Sequence, residues 1–134
     1  MRRSVVLAVL AALMCGSGGL AVADEQEFPF DRELVLDARP MNGSKRLPSL
    51  EVAANGTATI ALWCNGGPGQ VVVAGETVTI IPGPMSKEQC APERMRADDD
   101  LLAALTAVTT WHREGDDLVL VGAPRPLRYR PMTN

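Results

Sequence analysis

Cys64 and Cys90 are the residues with the most definite chemistry open to them. In an oxidising compartment an even pair of cysteines forms a disulfide. A bridge here closes a loop of about 27 residues, worth roughly 3–4 kcal/mol on the chain-entropy account. Two free thiols, or a metal site, are the alternatives, and the second lacks a nearby His or Cys to complete it. His112 is the only histidine. As a general base it would need Ser44, Ser49 or Ser86 as nucleophile, and no local context activates any of them. A lone histidine between Trp111 and Arg113 reads as a surface or packing residue. Asp98-Asp99-Asp100 offer hard oxygen ligands, but the glycine and distal glutamate of a calcium loop are missing. Those three read as a helix start or a solvated face. Gly66-Gly67-Pro68-Gly69 could cradle an anion through its amides; a tight turn is the plainer reading. Arg125, Arg128 and Arg130 could dock an acidic partner or lipid headgroups. The alternation of Arg128 and Arg130 with Leu127 and Tyr129 suits the outer face of a strand better.

The signatures His-Glu-x-x-His, Gly-x-Ser-x-Gly, Cys-x-x-Cys and the phosphate loop do not occur. No catalytic residue, metal ligand or cofactor is therefore expected, and the chain does not read as an enzyme.

The oxidising compartment is argued from the N-terminus. Met1-Arg2-Arg3 is followed by an apolar run of about 10 residues from Val5 to Met14, too short for a membrane span of roughly 20. Small residues lead to Ala21-Val22-Ala23, an A-x-A processing site ahead of Asp24. Cleavage is expected between Ala23 and Asp24, and the mature chain is expected to be periplasmic or secreted. Lipidation at Cys15 is the alternative, which bulky Met14 just before the cysteine disfavours. Loss of Arg2 and Arg3 lowers the basic residues from 13 to 11 against 16 acidic ones, a net charge of −5. That balance disfavours nonspecific nucleic-acid binding. Residues 24–134 suit one domain, read as a monomer with a small core. The expected division is signal peptide 1–23, flexible segment 24–33, domain 34–130 and tail 131–134.

The elements that must position these residues are mostly strands. Glu33 to Asp37 is a short apolar run, and Arg39 to Pro48 reads as a loop. Leu50 and Val52 pair through Ala54-Asn55-Gly56 with Ala58, Ile60 and Leu62, an Asn-Gly hairpin. Gln70–Val73 and Thr77–Ile81, joined at Ala74-Gly75, form a second hairpin with β-branched content. Trp111–Arg113 and Leu118–Val121 form a third about Glu114-Gly115-Asp116, and Leu127 to Arg130 is a last strand. Asn42-Gly43-Ser44 and Asn55-Gly56-Thr57 match the glycosylation sequon and are read as turns. Ser86-Lys87-Glu88-Gln89 has the form of a capping box. The clearest helix runs from about Asp99 to Val108, with Pro92 as an alternative start. Tight turns imply an α+β domain with a mainly antiparallel sheet on that amphipathic helix. Leu101, Leu105, Val108, Ile60, Leu62, Val78, Ile80, Leu118 and Leu120 are the expected core, with Trp63 packed on the disulfide.

Trp63-Cys64-Asn65-Gly66-Gly67-Pro68-Gly69, then Met85 to Cys90, then the acidic helix Glu93 to Leu105, then Trp111 to Leu120, come in an order and spacing that resemble the META domain family of HslJ-like bacterial proteins. The resemblance spans roughly Leu34 to Tyr129. It implies a curved antiparallel sheet wrapped on one helix and a bacterial envelope protein of poorly defined activity. The tryptophan that often opens the domain is absent, so Phe28, Phe30 or Leu34 would have to replace it. The expectation is an exported, non-enzymatic binding or stress-related accessory module, whose partner is an unknown protein or a small apolar ligand. A small secreted hydrolase inhibitor is the alternative.

Overall fold

A computed structural model describes residue 19 and residues 26–133. The expected signal peptide apart from Gly19, the expected cleavage site at Ala23–Asp24, and Cys15 lie outside the described residues. The elements are β1 (Glu33–Leu36), β2 (Ser49–Val52), β3 (Thr57–Ala61), β4 (Gly66–Ala74), β5 (Thr77–Pro82), α1 (Pro92–Ala107), β6 (Thr110–Glu114), β7 (Asp117–Val121) and β8 (Leu127–Pro131). All strand pairs are antiparallel, and neighbours in sequence are neighbours in space. The sheet does more than curve. β1 pairs with β8 through Leu34↔Pro131 and Leu36↔Tyr129, which closes an eight-stranded barrel. Closure removes the two edges that an open sheet would leave.

The three hairpins lie where the turn residues placed them. Ala53, Asn55 and Gly56 make the first turn: Asn55 Oδ1 accepts from Thr57 N at 2.9 Å, and Gly56 takes φ +88°. Alternation sends Leu34, Leu50, Ile60, Val78, Leu118, Leu120 and Tyr129 into the barrel, where each is 2 % exposed or less. All nine expected core residues are buried. Phe28, in the stretch read as flexible, is buried as well and packs edge to face on Trp111.

Three expectations are corrected. The helix begins at Pro92, the alternative start, rather than near Asp99, so Asp98 is mid-helix and shares its inner face with Leu101 and Leu105. Ser86 to Gln89 caps no helix; the stretch is irregular, because Ser86 Oγ and the Ser86 and Glu88 amides are spent on Asn65 and Gly66. Gly66 to Gly69 is no break but the start of β4. Its glycines answer crowding rather than turning: a Cβ on Gly66 would lie 2.7 Å from Ile60 O, and one on Gly69 2.8 Å from Ile60 Cδ1.

The β5–β6 seam is a single bridge, Thr77↔Thr110, and α1 packs against β5 beside it. Leu101 and Leu105 fill the core there. Among the described residues no helix is long and apolar enough to cross a membrane.

Candidate functional site

Among the described residues the buried polar side chains, Asn65 and Asp98, meet at the loop between β3 and β4. Leu62 N donates to Asn65 O at 2.8 Å, so residues 62–65 form a tight turn. Two further amides of that turn point at α1. Cys64 N and Asn65 N donate to the two carboxylate oxygens of Asp98 at 2.9 and 2.8 Å. Asp98 is 5 % exposed, and a carboxylate so deep in the fold requires such donors. The Asn65 side chain ties in the next segment: its Oδ1 accepts from Ser86 Oγ at 3.0 Å and Glu88 N at 2.7 Å, and its Nδ2 donates to Glu88 O at 3.3 Å. Arg94 Nη2 donates to Trp63 O at 3.2 Å. Cys64 and Cys90 are bridged, with Cα atoms 6.2 Å apart. Loop, irregular segment and helix are thus fastened at one point.

Beside this junction lies a groove of about 1140 Å³. Its floor follows one register row across the barrel: Val35 opposite Ser49, Ser49 opposite Ala61, Ala61 opposite Gly66. Each is small for an outward position, so the row forms a trough. One wall is the 40–47 loop with Lys45, Arg46 and Leu47; the other holds Trp63 and Arg94. Among the described residues Lys45, Arg46 and Arg94 make no ion pair, whereas Arg113, Arg128 and Arg130 do.

The expected chemistry distributes accordingly. Ser44, Ser49 and Ser86 all reach the groove, but His112 does not. His112 sits exposed on β6 with Nε2 3.3 Å from Glu114 Oε1. Each carboxylate oxygen of Asp98 accepts one backbone amide, while Asp99 and Asp100 are exposed. No group of three or more His, Cys, Asp or Glu among the described residues could hold a metal. Gly66 N is taken by Ser86 Oγ. Arg128 pairs with Asp117 and Glu114 and Arg130 with Asp37 on the outer face of β8; Arg125 is exposed in the preceding loop. Between them Tyr129 is fully buried, and burial pushes its phenol well above the ordinary phenol range. Trp63 is half-buried at the groove wall rather than within the core.

Asn65 and Asp98 were not singled out as a pair by sequence. The available signal was the spacing of Asp98, Leu101, Leu105 and Val108, which puts a carboxylate on an apolar face and demands buried donors.

The family model described as META domain matches residues 32–131. Among curated proteins nothing matches the chain. Two solved structures are similar. An NMR structure of a protein from Burkholderia xenovorans is 18% identical, with a TM-score of 0.60 over 78% of this chain and 84% of that one. A second NMR structure is 19% identical, with a TM-score of 0.58 over 74% of this chain and 87% of that one. At such identities the likeness speaks for the fold.

Proposed function

Because the chain belongs to the META domain family, we propose that it works as an exported, non-enzymatic binding module in the periplasm or outside the cell, with the groove as its ligand site. The observation that carries this reading is the trough flanked by an indole and by Lys45, Arg46 and Arg94, none of which makes an ion pair among the described residues, although Glu33 and Glu88 share the lining. Trp63 offers an apolar face, and aromatic side chains supply much of the contact energy of such sites. Lys45, Arg46 and Arg94 outnumber Glu33 and Glu88 on the lining, which leaves the groove with a net positive charge in a protein whose net charge is −3. An elongated small ligand with an apolar body and an acidic group suits that combination.

The probe is 1-anilinonaphthalene-8-sulfonate, which has both features. Titrated into the chain 24–134, it should saturate, quench Trp63 and shift amides at Val35, Ser49 and Ala61. Trp63→Ala should weaken it about tenfold, as loss of one aromatic contact does. Shifts spread evenly over the barrel, or no saturation, would sink the reading.

A further inference from the structure

Beyond its bridge to β5, β6 has an open edge. The β4–β5 hairpin turns back at Gly75, and Trp111 N already donates to Glu76 O at 3.0 Å at the end of that hairpin. The next outward-facing backbone groups on that side are those of Arg113. They are taken by a side chain: Arg113 N donates to Gln26 Oε1 at 2.7 Å, and Arg113 O accepts from Gln26 Nε2 at 3.3 Å. The carboxamide of Gln26 stands where the peptide group of an added strand would stand. Two residues on, Phe28 is 7 % exposed, with its ring 5.2 Å from Trp111 at 84°, and Phe30 lies 4.8 Å behind it. Residues 26–30 are therefore a strap on the β6 edge, held by one amide and one aromatic anchor.

The strap is joined to the barrel by a short link in an unusual conformation. Asp31 has φ 58°, the only positive φ outside glycine among the described residues. Its amide donates to Val52 O at 2.8 Å and its Oδ1 accepts from Ala54 N at 3.2 Å, and β1 starts two residues later. The seat is also imperfect. Arg113 Nε is buried without an acceptor, and the Arg113 Nη1 contact to Glu27 O is long, 3.5 Å.

We infer that the β6 edge is an interaction surface for an extended segment in trans, and that its occupant is the 26–30 strap of a second copy. Every strap contact can be remade on the partner's Arg113 and Trp111, so exchange alters only the hinge and the concentration dependence. The hinge favours exchange, because an extended Asp31 leaves the left-handed region. The product is a two-fold dimer in which each β6 edge is covered by its partner's strap.

Sedimentation across a concentration series tests this on the chain 24–134. A β-branched residue disfavours positive φ, so Asp31→Val should raise the dimer association constant about tenfold or more over the unsubstituted chain. Asp31→Gly, which keeps the turn accessible, should leave that constant no higher than in the unsubstituted chain. Phe28→Ala added to Asp31→Val should abolish the dimer. A folded, monomeric Asp31→Val overturns the inference, and so does a dimer that survives Phe28→Ala. Should Asp31→Val fail to fold, hydrogen exchange in the unsubstituted chain decides. Strand alternation turns the His112 amide toward β7 and the Arg113 amide toward the strap. Arg113 should exchange about tenfold or more faster than His112, through opening of the strap alone. Equal rates would show that the strap opens only with the barrel, and would overturn exchange.

Discussion

Residues 62–65 and residues 26–30 are both irregular segments pressed onto the barrel, and they are held by different chemistry. The first is fastened by a disulfide, by a buried carboxylate that accepts two amides, and by Asn65, which bonds Ser86 and Glu88. The second is held by one side-chain amide and by Phe28 on Trp111. The first joins three elements that are distant in the chain; the second closes one strand edge. A crosslink and an ionised acceptor resist local opening, whereas a neutral amide at an exposed edge yields to water at small cost. On that chemistry the first segment is expected to open only with the whole domain, and the second to lift away from it. The groove lies beside the first, and the strand edge lies under the second, where release would expose a surface.

The largest expected effect is on the fastened side. Reducing Cys64–Cys90 should cost roughly 3–4 kcal/mol, the value for a loop of about 27 residues. For a domain of this size that is a drop in Tm of roughly 15 °C. Calorimetry with and without a reductant reads it, and thiol labelling in denaturant should find no free cysteine in the oxidised protein. A shift of a degree or two would mean that Asp98 and Asn65 hold the junction without the bridge.

Asp98→Asn comes next. The amide of asparagine can accept from one of the two donors but faces the other with its own N–H₂, which leaves a buried amide unpaired. The cost should be about 2–3 kcal/mol by urea titration. Exchange of the Cys64 and Asn65 amides should quicken before that of Arg113. If Arg113 quickens with them, the two segments are coupled and the contrast between them fails.

Phe28→Ala measures the strap's main anchor. A buried phenylalanine in a core costs about 3–5 kcal/mol on truncation; at the barrel's rim, where the segment can lift away, about 2 kcal/mol is expected. The loss should leave the disulfide junction untouched, with amide shifts at Cys64 and Asn65 unchanged. A full core-sized loss would make the strap part of the folding unit.

How far these features could be read in advance differs between the same two regions. Asn55-Gly56, Ala74-Gly75 and Gly115 announce hairpins because tight turns need particular residues, and period-2 alternation names the faces of the strands they join. Barrel closure is not written that way. The β1–β8 pairing unites segments at opposite ends of the domain, and alternation says which face is buried but not which strand lies alongside. Gly66 to Gly69 misleads because glycine serves close approach as well as turning. Asp98 was legible in principle, as a charge on an apolar helical face, once the helix is begun at Pro92. The strap was not. A glutamine whose side chain stands in for a backbone peptide leaves no periodic trace, and Phe28 was marked only by the resemblance, as one of three residues that could replace the domain's opening tryptophan.

The barrel wall between the two regions carries its own pH signature through Tyr129, the only tyrosine in the chain. Its folded-state phenol titrates far above the unfolded one, which loses its proton near pH 10. Above that pH the unfolded chain binds fewer protons than the folded one, so stability falls as pH rises, by about 1.4 kcal/mol per unit. Below pH 10 the contribution is fully present. Urea midpoints from pH 8 to 11, compared between the unsubstituted chain and Tyr129→Phe, isolate this slope from the lysines that titrate nearby. Equal slopes would mean that the phenol reaches solvent.

The smallest effect is the most diagnostic of the strap. Gln26→Ala removes the carboxamide and leaves the Arg113 N–H and C=O facing an exposed edge, where water replaces the lost partner. Such an exchange costs about 0.5–1 kcal/mol. That is near the noise of a denaturant titration, so the better measure is local. The Arg113 amide should lose nearly all of its protection while His112, one residue earlier and turned toward β7, keeps its own. Trp111 fluorescence should hardly change, because Phe28 still covers the ring. If Gln26→Ala instead destabilises the whole barrel by as much as Phe28→Ala does, amide and ring act as one cooperative unit. The strap would then be a ninth strand in all but geometry, and the division between a fastened and a removable segment would have to be given up.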